Sequence, residues 1–162
     1  MSIVVSDDFF DINSHRLIFE FCQNALYEIG ETDMPGGPIT GMISNISPES
    51  SYYSSFDLAI RKDFKQVEGK RIFRMYINLF TANENPHFHT DSDEGKDAKT
   101  FLYYPNLSWD MNDGGETQFL VNDEIIGVLP KPNRLVMFDA EIWHKATSFR
   151  NRPRYTIAVK YI

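Results

Sequence analysis

The stretch Arg71-Ile72-Phe73-Arg74-Met75-Tyr76-Ile77-Asn78-Leu79-Phe80 decides the fold class. Its apolar residues alternate, with Phe73, Met75, Ile77 and Leu79 on one face and Arg74, Tyr76, Asn78 and Phe80 on the other. That period of two predicts a half-buried strand. Downstream, further short strands are predicted over Thr100 to Tyr104, Glu116 to Val121, Glu124 to Leu129, Arg134 to Phe138 and Arg154 to Ile162. Asn122-Asp123 supplies a hairpin turn between two of them. Upstream of Gly69 the spacing changes. Ile18, Phe21, Cys22, Ala25 and Ile29 recur every three or four residues after Asn13 or Ser14 as N-cap, with Gly30 as a stop. A second helix is predicted through Tyr52 to Phe64, and Met34-Pro35-Gly36-Gly37-Pro38 between them is loop by composition. Helices followed by many short strands predict an α+β fold in which a β-sandwich or barrel carries the chemistry.

Composition narrows the function classes. The 162 residues suit one domain with a sizeable core, and 42% hydrophobic with 14% aromatic content excludes a disordered chain. A net charge of -7 argues against nucleic acid as the main partner, since phosphate backbones repel such a surface. The single Cys22 excludes an intrachain disulfide and any multi-thiolate metal site, and its place on the helical stripe makes it a core residue. No apolar run approaches the ~18 residues of a membrane span, and the N-terminus carries no secretory pattern, so the chain reads as soluble and cytoplasmic.

Three of the four histidines lie in the strand-rich part. His89-Thr90-Asp91 is an H-x-D unit; in extended chain, residues two apart point the same way, so an imidazole and a carboxylate converge. His144 follows an apolar strand. Two His and one carboxylate on one metal face leave positions open, the arrangement of non-haem Fe(II) oxygenases. Alone, H-x-D is common and describes a surface His beside an Asp equally well. In the last strand Arg154, Thr156, Ala158 and Lys160 share a face, opposite Tyr155, Ile157, Val159 and Tyr161. A guanidinium and a hydroxyl facing a cavity suit a carboxylate; a half-exposed edge strand gives the same pattern.

Taken together, His89-Thr90-Asp91, His144 and Arg154-Tyr155-Thr156 resemble the 2-oxoglutarate and Fe(II)-dependent dioxygenase superfamily. The order Phe101-Leu102-Tyr103-Tyr104-Pro105-Asn106, Trp109, Gly114-Gly115-Glu116-Thr117-Gln118-Phe119 and Pro132-Asn133-Arg134-Leu135-Val136-Met137-Phe138 resembles its prolyl-hydroxylase branch. The resemblance runs from Arg71 to Ile162. It implies a double-stranded β-helix (jelly roll), one domain over 1–162, with 1–70 mainly helical support and 71–162 the core. It implies that His89, Asp91 and His144 bind Fe(II), that Arg154 pairs with the distal carboxylate of 2-oxoglutarate, and that Tyr104 donates to the same carboxylate. Thr156 stands where some members have a second hydroxyl donor, and Asn78 matches a co-substrate contact of the superfamily's nucleic-acid demethylases. Ascorbate is a candidate accessory reductant. The implied activity is hydroxylation of a C–H bond, with a prolyl residue in a protein or peptide first, a small molecule second, and an inactive jelly-roll binding module as the non-enzyme alternative. Phe80 replaces a tyrosine of many relatives.

Other residues carry expectations of their own. His87, His89 and Glu94 have cupin-like spacing and form the rival ligand set. Lys160 serves either the second carboxylate or the cavity rim. Gly114-Gly115 is either a turn or a close backbone approach to the cavity. His15 is expected at the surface and Trp143 in packing. The polar stretches Asp91 to Thr100 and Pro105 to Asp113 are expected to close over substrate, their acidic residues favouring basic groups beside a proline.

Overall fold

The computed structural model describes residues 2–29, 32–33, 36–82, 84–91 and 97–162. Gly30, Met34, Pro35 and the segment Ser92 to Lys96, including Glu94, lie outside them. Two antiparallel sheets face each other as a jelly roll. The larger has the order β1-β7-β4-β9-β3-β2, built from β1 (Ile3–Ser6), β2 (Met42–Asn45), β3 (Ile72–Phe80), β4 (Lys99–Tyr104), β7 (Arg134–Asp139) and β9 (Arg154–Tyr161). The smaller has the order β6-β5-β8, from β5 (Thr117–Val121), β6 (Glu124–Val128) and β8 (Trp143–Ala146). Helices α1 (Ile12–Asn24) and α2 (Ser51–Asp63) precede the core strands.

Alternation within the strands produces two cores. From β4, β7 and β9, Phe101, Tyr103, Leu135, Met137, Ile157, Val159 and Tyr161 pack with Ile18 and Cys22 of α1 and Phe56 and Ile60 of α2. The alternate residues Leu102, Tyr104, Val136, Phe138 and Ala158 pack with Phe119 and Val128 between the sheets. β4 and β7 are therefore apolar on both faces, and the helices cover what would be a solvated face in a bare sandwich. The Asn122-Asp123 turn forms as expected, with φ of 51° and 64° at the two residues and Val121 paired with Glu124. Positive φ at both central positions matches the twist of the flanking strands.

The N-terminal region departs from its helical reading. It also contributes β1 and β2, short edge strands whose four residues each carry too little alternation to stand out. Helix α1 is capped by Asp11, whose carboxylate accepts from the Asn13 and Ser14 amides at 3.0 and 3.1 Å, rather than by Asn13 or Ser14. It stops at Asn24, where the Asn24 side chain and the Tyr27 hydroxyl donate to the Glu20 and Cys22 carbonyls. Glu28 then bridges to Ile43, leaving Ile29 exposed rather than on a helical stripe. In β3, a register shift between Ile72 and Arg74 explains why Phe73 is exposed although Met75 and Ile77 are core.

His15 is buried, not at the surface: its Nδ1 lies 2.6 Å from the Tyr103 hydroxyl, which in turn donates to Asn133 Oδ1 at 2.9 Å. The ring therefore donates from Nδ1, and its buried Nε2 has no partner. Burial holds the imidazole below its ordinary value. The unfolded chain thus takes up a proton first as pH falls through about 6.5, so stability is complete above that value and declines below it. Urea unfolding between pH 7.5 and 5.5 should show a decline of up to about 1.4 kcal/mol per pH unit from this group. A His15→Asn variant should be less stable at pH 7.5 and have a shallower slope.

Candidate active site

A cavity of about 210 Å³ opens between the sheets, lined by the inward faces of β3, β4 and β9 on one side and by His89, Asp91 and His144 on the other. His144 sits on β8, a strand not anticipated because four residues interrupted by Lys145 carry no clear alternation. His89 exchanges backbone hydrogen bonds with His144, N to O at 3.0 and 2.9 Å, and so extends the small sheet by one rung. The Asp91 amide is held by the Ala140 carbonyl at 2.8 Å. Ligand atoms of His89, Asp91 and His144 all lie within 4.8 Å of one another.

Both imidazoles are oriented by the same device. His89 Nδ1 is 3.1 Å from the His87 carbonyl and His144 Nδ1 is 2.9 Å from the Ile142 carbonyl. A carbonyl only accepts, so each Nδ1 carries the proton and each Nε2 keeps its lone pair for a metal. Phe119 and Phe138 pack against the His144 ring. Burial pushes His144 down to about 4 against the opposing pull of Asp91, so it is neutral at neutral pH. Burial pushes Asp91 up, but the charge of His144, present only at acid pH, the charge of Lys160 and the hydrogen bonds from Lys160 and Thr100 outweigh it and hold the carboxyl at about 2. Both groups are thus in their ligating forms.

Lys160 lines the cavity and contacts Asp91. Its Nζ lies 2.9 Å from Asp91 Oδ1, while the Thr100 hydroxyl donates to Oδ2 at 2.7 Å and His144 Nε2 faces Oδ2 at 3.7 Å. Lys160 thus clamps the carboxylate from within the cavity wall. Of the cupin-like set, Glu94 lies outside the described residues, and His87 is exposed and meets the site through its backbone, because its segment is irregular and does not keep a pleat.

At the other end of the cavity Arg154 is 1% exposed. Its Nε donates to the Gly115 carbonyl at 2.8 Å and Nη2 to Thr117 Oγ1 at 2.9 Å. The guanidinium lies over the Tyr104 ring, and the Tyr104 hydroxyl meets Thr117 Oγ1 at 2.7 Å. Tyr104 therefore stands behind Arg154 and Thr117 rather than among the lining residues. Asn78, Phe80 and Thr156 line the cavity directly, and Thr156 Oγ1 is a buried hydroxyl without a partner. A buried arginine beside an orphaned hydroxyl is a fitting receptor for an incoming carboxylate. Thr117 and Thr100 went unnoticed in the sequence because isolated threonines in strands carry no signal.

Gly114 and Gly115 form no turn and do not line the cavity; Gly114 bridges Phe149, and the backbone of both packs closely on its neighbours. They have φ of 77° and 79°, and a Cβ on Gly115 would lie 2.9 Å from Trp109 Cζ2, 3.2 Å from Phe149 Cβ and 3.5 Å from Arg154 Cδ. Gly115→Ala is expected to cost about 1–3 kcal/mol of stability through backbone strain. It should also weaken 2-oxoglutarate binding by displacing the carbonyl that holds Arg154, which thermal unfolding and calorimetric titration together would read.

Of the two stretches expected to close over substrate, 105–113 does not line this cavity. Its buried Asn106 instead bonds the Pro153 carbonyl and the Tyr155 backbone amide, and its buried Asp113 accepts from the Asn151 side-chain amide. Among the described residues, the mouth is formed instead by Thr32, Asp33 and Thr40 from the α1–β2 connection and by Pro86, His89, Thr90 and Asp91. Trp143 is half-exposed beside Leu120 on the outer face of the small sheet, neither core nor cavity.

A jelly roll whose cavity carries two histidines and a carboxylate at one end and a buried arginine at the other defines the class of the non-haem iron oxygenases. A profile of the 2OG-Fe(II) oxygenase superfamily matches residues 63–161, and the chain belongs to that superfamily. Fe(II) and 2-oxoglutarate are its cofactors, and it is a 2-oxoglutarate-dependent oxygenase. Curated protein sequences give no significant match. Among solved structures, the fold is similar to a Pseudomonas putida prolyl-4-hydroxylase (19% identity, TM-score 0.75, covering 98% of this chain and 91% of that one). It is also similar to a Trichoplax adhaerens prolyl hydroxylase in complex with a hypoxia-inducible-factor peptide (17% identity, TM-score 0.76, 99% and 83%). A third is HygX from Streptomyces hygroscopicus with nickel and 2-oxoglutarate bound (11% identity, TM-score 0.76, 98% and 82%). No helix among the described residues is long and apolar enough to cross a membrane.

Proposed function

We propose that this oxygenase hydroxylates a C–H bond, with His89, Asp91 and His144 holding the iron and Arg154 the distal carboxylate of 2-oxoglutarate, and that its substrate is a prolyl residue in a protein or peptide. The observation that carries the reading is the two-ended cavity: three metal-competent donors within 4.8 Å of one another face a space shared with Arg154 and the orphaned Thr156 hydroxyl. The iron and co-substrate, when bound, supply the oxidising power: dioxygen gives one atom to the substrate C–H and one to succinate, with loss of carbon dioxide. The chain's own residues bind and orient. Arg154 fixes the co-substrate by charge, Thr156 completes its hydrogen bonding, and Asn78 contacts it from β3. Tyr104 and Thr117 hold the guanidinium in place. Lys160 and Thr100 keep Asp91 turned to the metal, and Phe119 and Phe138 shield His144 from water.

The prolyl assignment rests on the fold likeness to prolyl hydroxylases together with the ordered motifs from Phe101 to Phe138. Succinate formed from 2-oxoglutarate and Fe(II) tests the chemistry. Mass spectrometry of lysate proteins before and after incubation tests the substrate, by the residue type that gains one oxygen atom. Oxygen gained only by small molecules would replace the prolyl reading, and absence of succinate would leave a binding module.

A further inference from the structure

Asp33 stands at the mouth of the cavity, on the connection that folds back through the Thr32–Ile39 bridge. Its Oδ2 is fixed by the Thr40 hydroxyl at 3.0 Å and the His87 amide at 2.8 Å. Among the described residues, the charged or titratable partner nearest its Oδ1 is the His89 ring, Nδ1 at 3.8 Å, and that nitrogen is already committed to the His87 carbonyl. The side chain is 14% exposed, against 1% for Arg154 and Thr156, so Asp33 marks the outer end and Arg154 the floor. Among the described residues no Lys or Arg pairs with Asp33, whereas the cavity's own cations are engaged, Lys160 by Asp91 and Arg154 by Gly115 and Thr117. A largely buried carboxylate without a counter-ion is costly, and at the mouth it also repels an entering dicarboxylate. Both effects turn favourable if the group that enters second is a cation.

We propose that Asp33 is a recognition residue for a protonated nitrogen of the primary substrate, which docks on Oδ1 beside the iron site after the dicarboxylate has occupied the floor. The inference rests on the dioxygenase reading above and adds the charge of the substrate. The nitrogen can belong to a Lys or Arg side chain next to a hydroxylated proline, or to the amino group of a free amino acid. In both, the oxidised carbon is tethered to a cation held by Asp33.

The test uses the Fe(II)-loaded full chain and pairs of compounds that differ only in charge. One arm compares lysyl-prolyl with norleucyl-prolyl peptides; the other compares free proline and lysine with their Nα- and Nε-acetylated forms. Oxygen incorporation is followed by mass spectrometry. In the wild type the cationic member of at least one arm should have kcat/KM roughly ten- to a hundredfold higher, the size of one charged hydrogen bond. Asp33→Asn should bring that ratio close to one, chiefly through KM, and Asp33→Lys should invert it. The ratio is unmoved by any loss common to both members, so a purely structural role for Asp33 would leave it intact. A preference that survives in Asp33→Asn, equal rates in the wild type, or oxidation of neither member in both arms overturns the proposal. Calorimetric titration of 2-oxoglutarate into the Mn(II)-loaded wild type separates these outcomes: no binding there would mean that the dioxygenase reading itself has failed.

Discussion

Replacing Asp91 by Asn is expected to reduce 2-oxoglutarate turnover to background, because the only anionic ligand of the set is lost while its shape is kept. Asp91→Ala should do more. Asp91 is buried and paired with Lys160 Nζ at 2.9 Å, so truncation leaves a largely buried ammonium without its partner. Breaking such a pair costs about 3–5 kcal/mol. The folded state of Asp91→Ala is therefore destabilised as well as inactive. Urea unfolding without metal should place the double variant Asp91→Asn/Lys160→Met above Asp91→Ala in stability, because it removes both charges together. The wild-type pair also has a pH signature. With the folded carboxyl at about 2 against an ordinary 3.8, its stabilisation is complete above the ordinary value and is lost as pH falls from there toward 2. If Asp91→Ala kept full turnover and unfolded like the wild type, the ligand set proposed here would be wrong.

The second large effect is expected at Arg154. Arg154→Ala should raise the Kd for 2-oxoglutarate by two to three powers of ten, the equivalent of about 3–5 kcal/mol for a buried carboxylate deprived of its partner. Mn(II) affinity should change far less, since Arg154 lies at the opposite end of the cavity from the metal-competent donors. The same substitution removes hydrogen bonds to the Gly115 carbonyl and Thr117 Oγ1 in a site that is 1% exposed, so thermal stability should drop too. Arg154→Lys should recover part of the binding, because the charge returns but the two-pronged geometry does not. Tyr104→Phe should cost less, about 0.5–1.5 kcal/mol, since its hydroxyl meets the neutral Thr117. Unchanged 2-oxoglutarate affinity in Arg154→Ala would remove the assignment of the cavity floor.

Much of this was legible in the sequence, and the pattern of what was legible has a physical basis. Strand alternation is local, so β3 and β9 were readable as strands with a chemical face and an apolar one, and those faces now line the cavity and the helix-covered core. His89, Asp91, His144 and Arg154 were readable because the spacing of an H-x-D unit, a later histidine and an arginine on a strand resembles a known order. The edge strands β1 and β2 were not, because four residues of an edge are held by the neighbour's hydrogen bonds rather than by their own pattern. His15 was misplaced for a related reason: its burial comes from Tyr103 and Asn133, far along the chain.

By itself, then, the sequence determined the fold class, the superfamily and the residue types at the two ends of the cavity proposed for metal and co-substrate, since each depends on local periodicity or on motif order. Only the tertiary structure decided which groups stand behind those residues. Lys160 turned out to clamp Asp91, Thr117 to hold both Arg154 and Tyr104, and the mouth to be formed by Asp33 and its neighbours rather than by 105–113. These pairings join residues from 13 positions apart, as with Tyr104 and Thr117, to 69 apart, as with Lys160 and Asp91, and no local pattern encodes them. They arise because closing two sheets over one cavity brings opposite walls within hydrogen-bond reach, and a buried charge there is stable only beside the partner that the fold delivers.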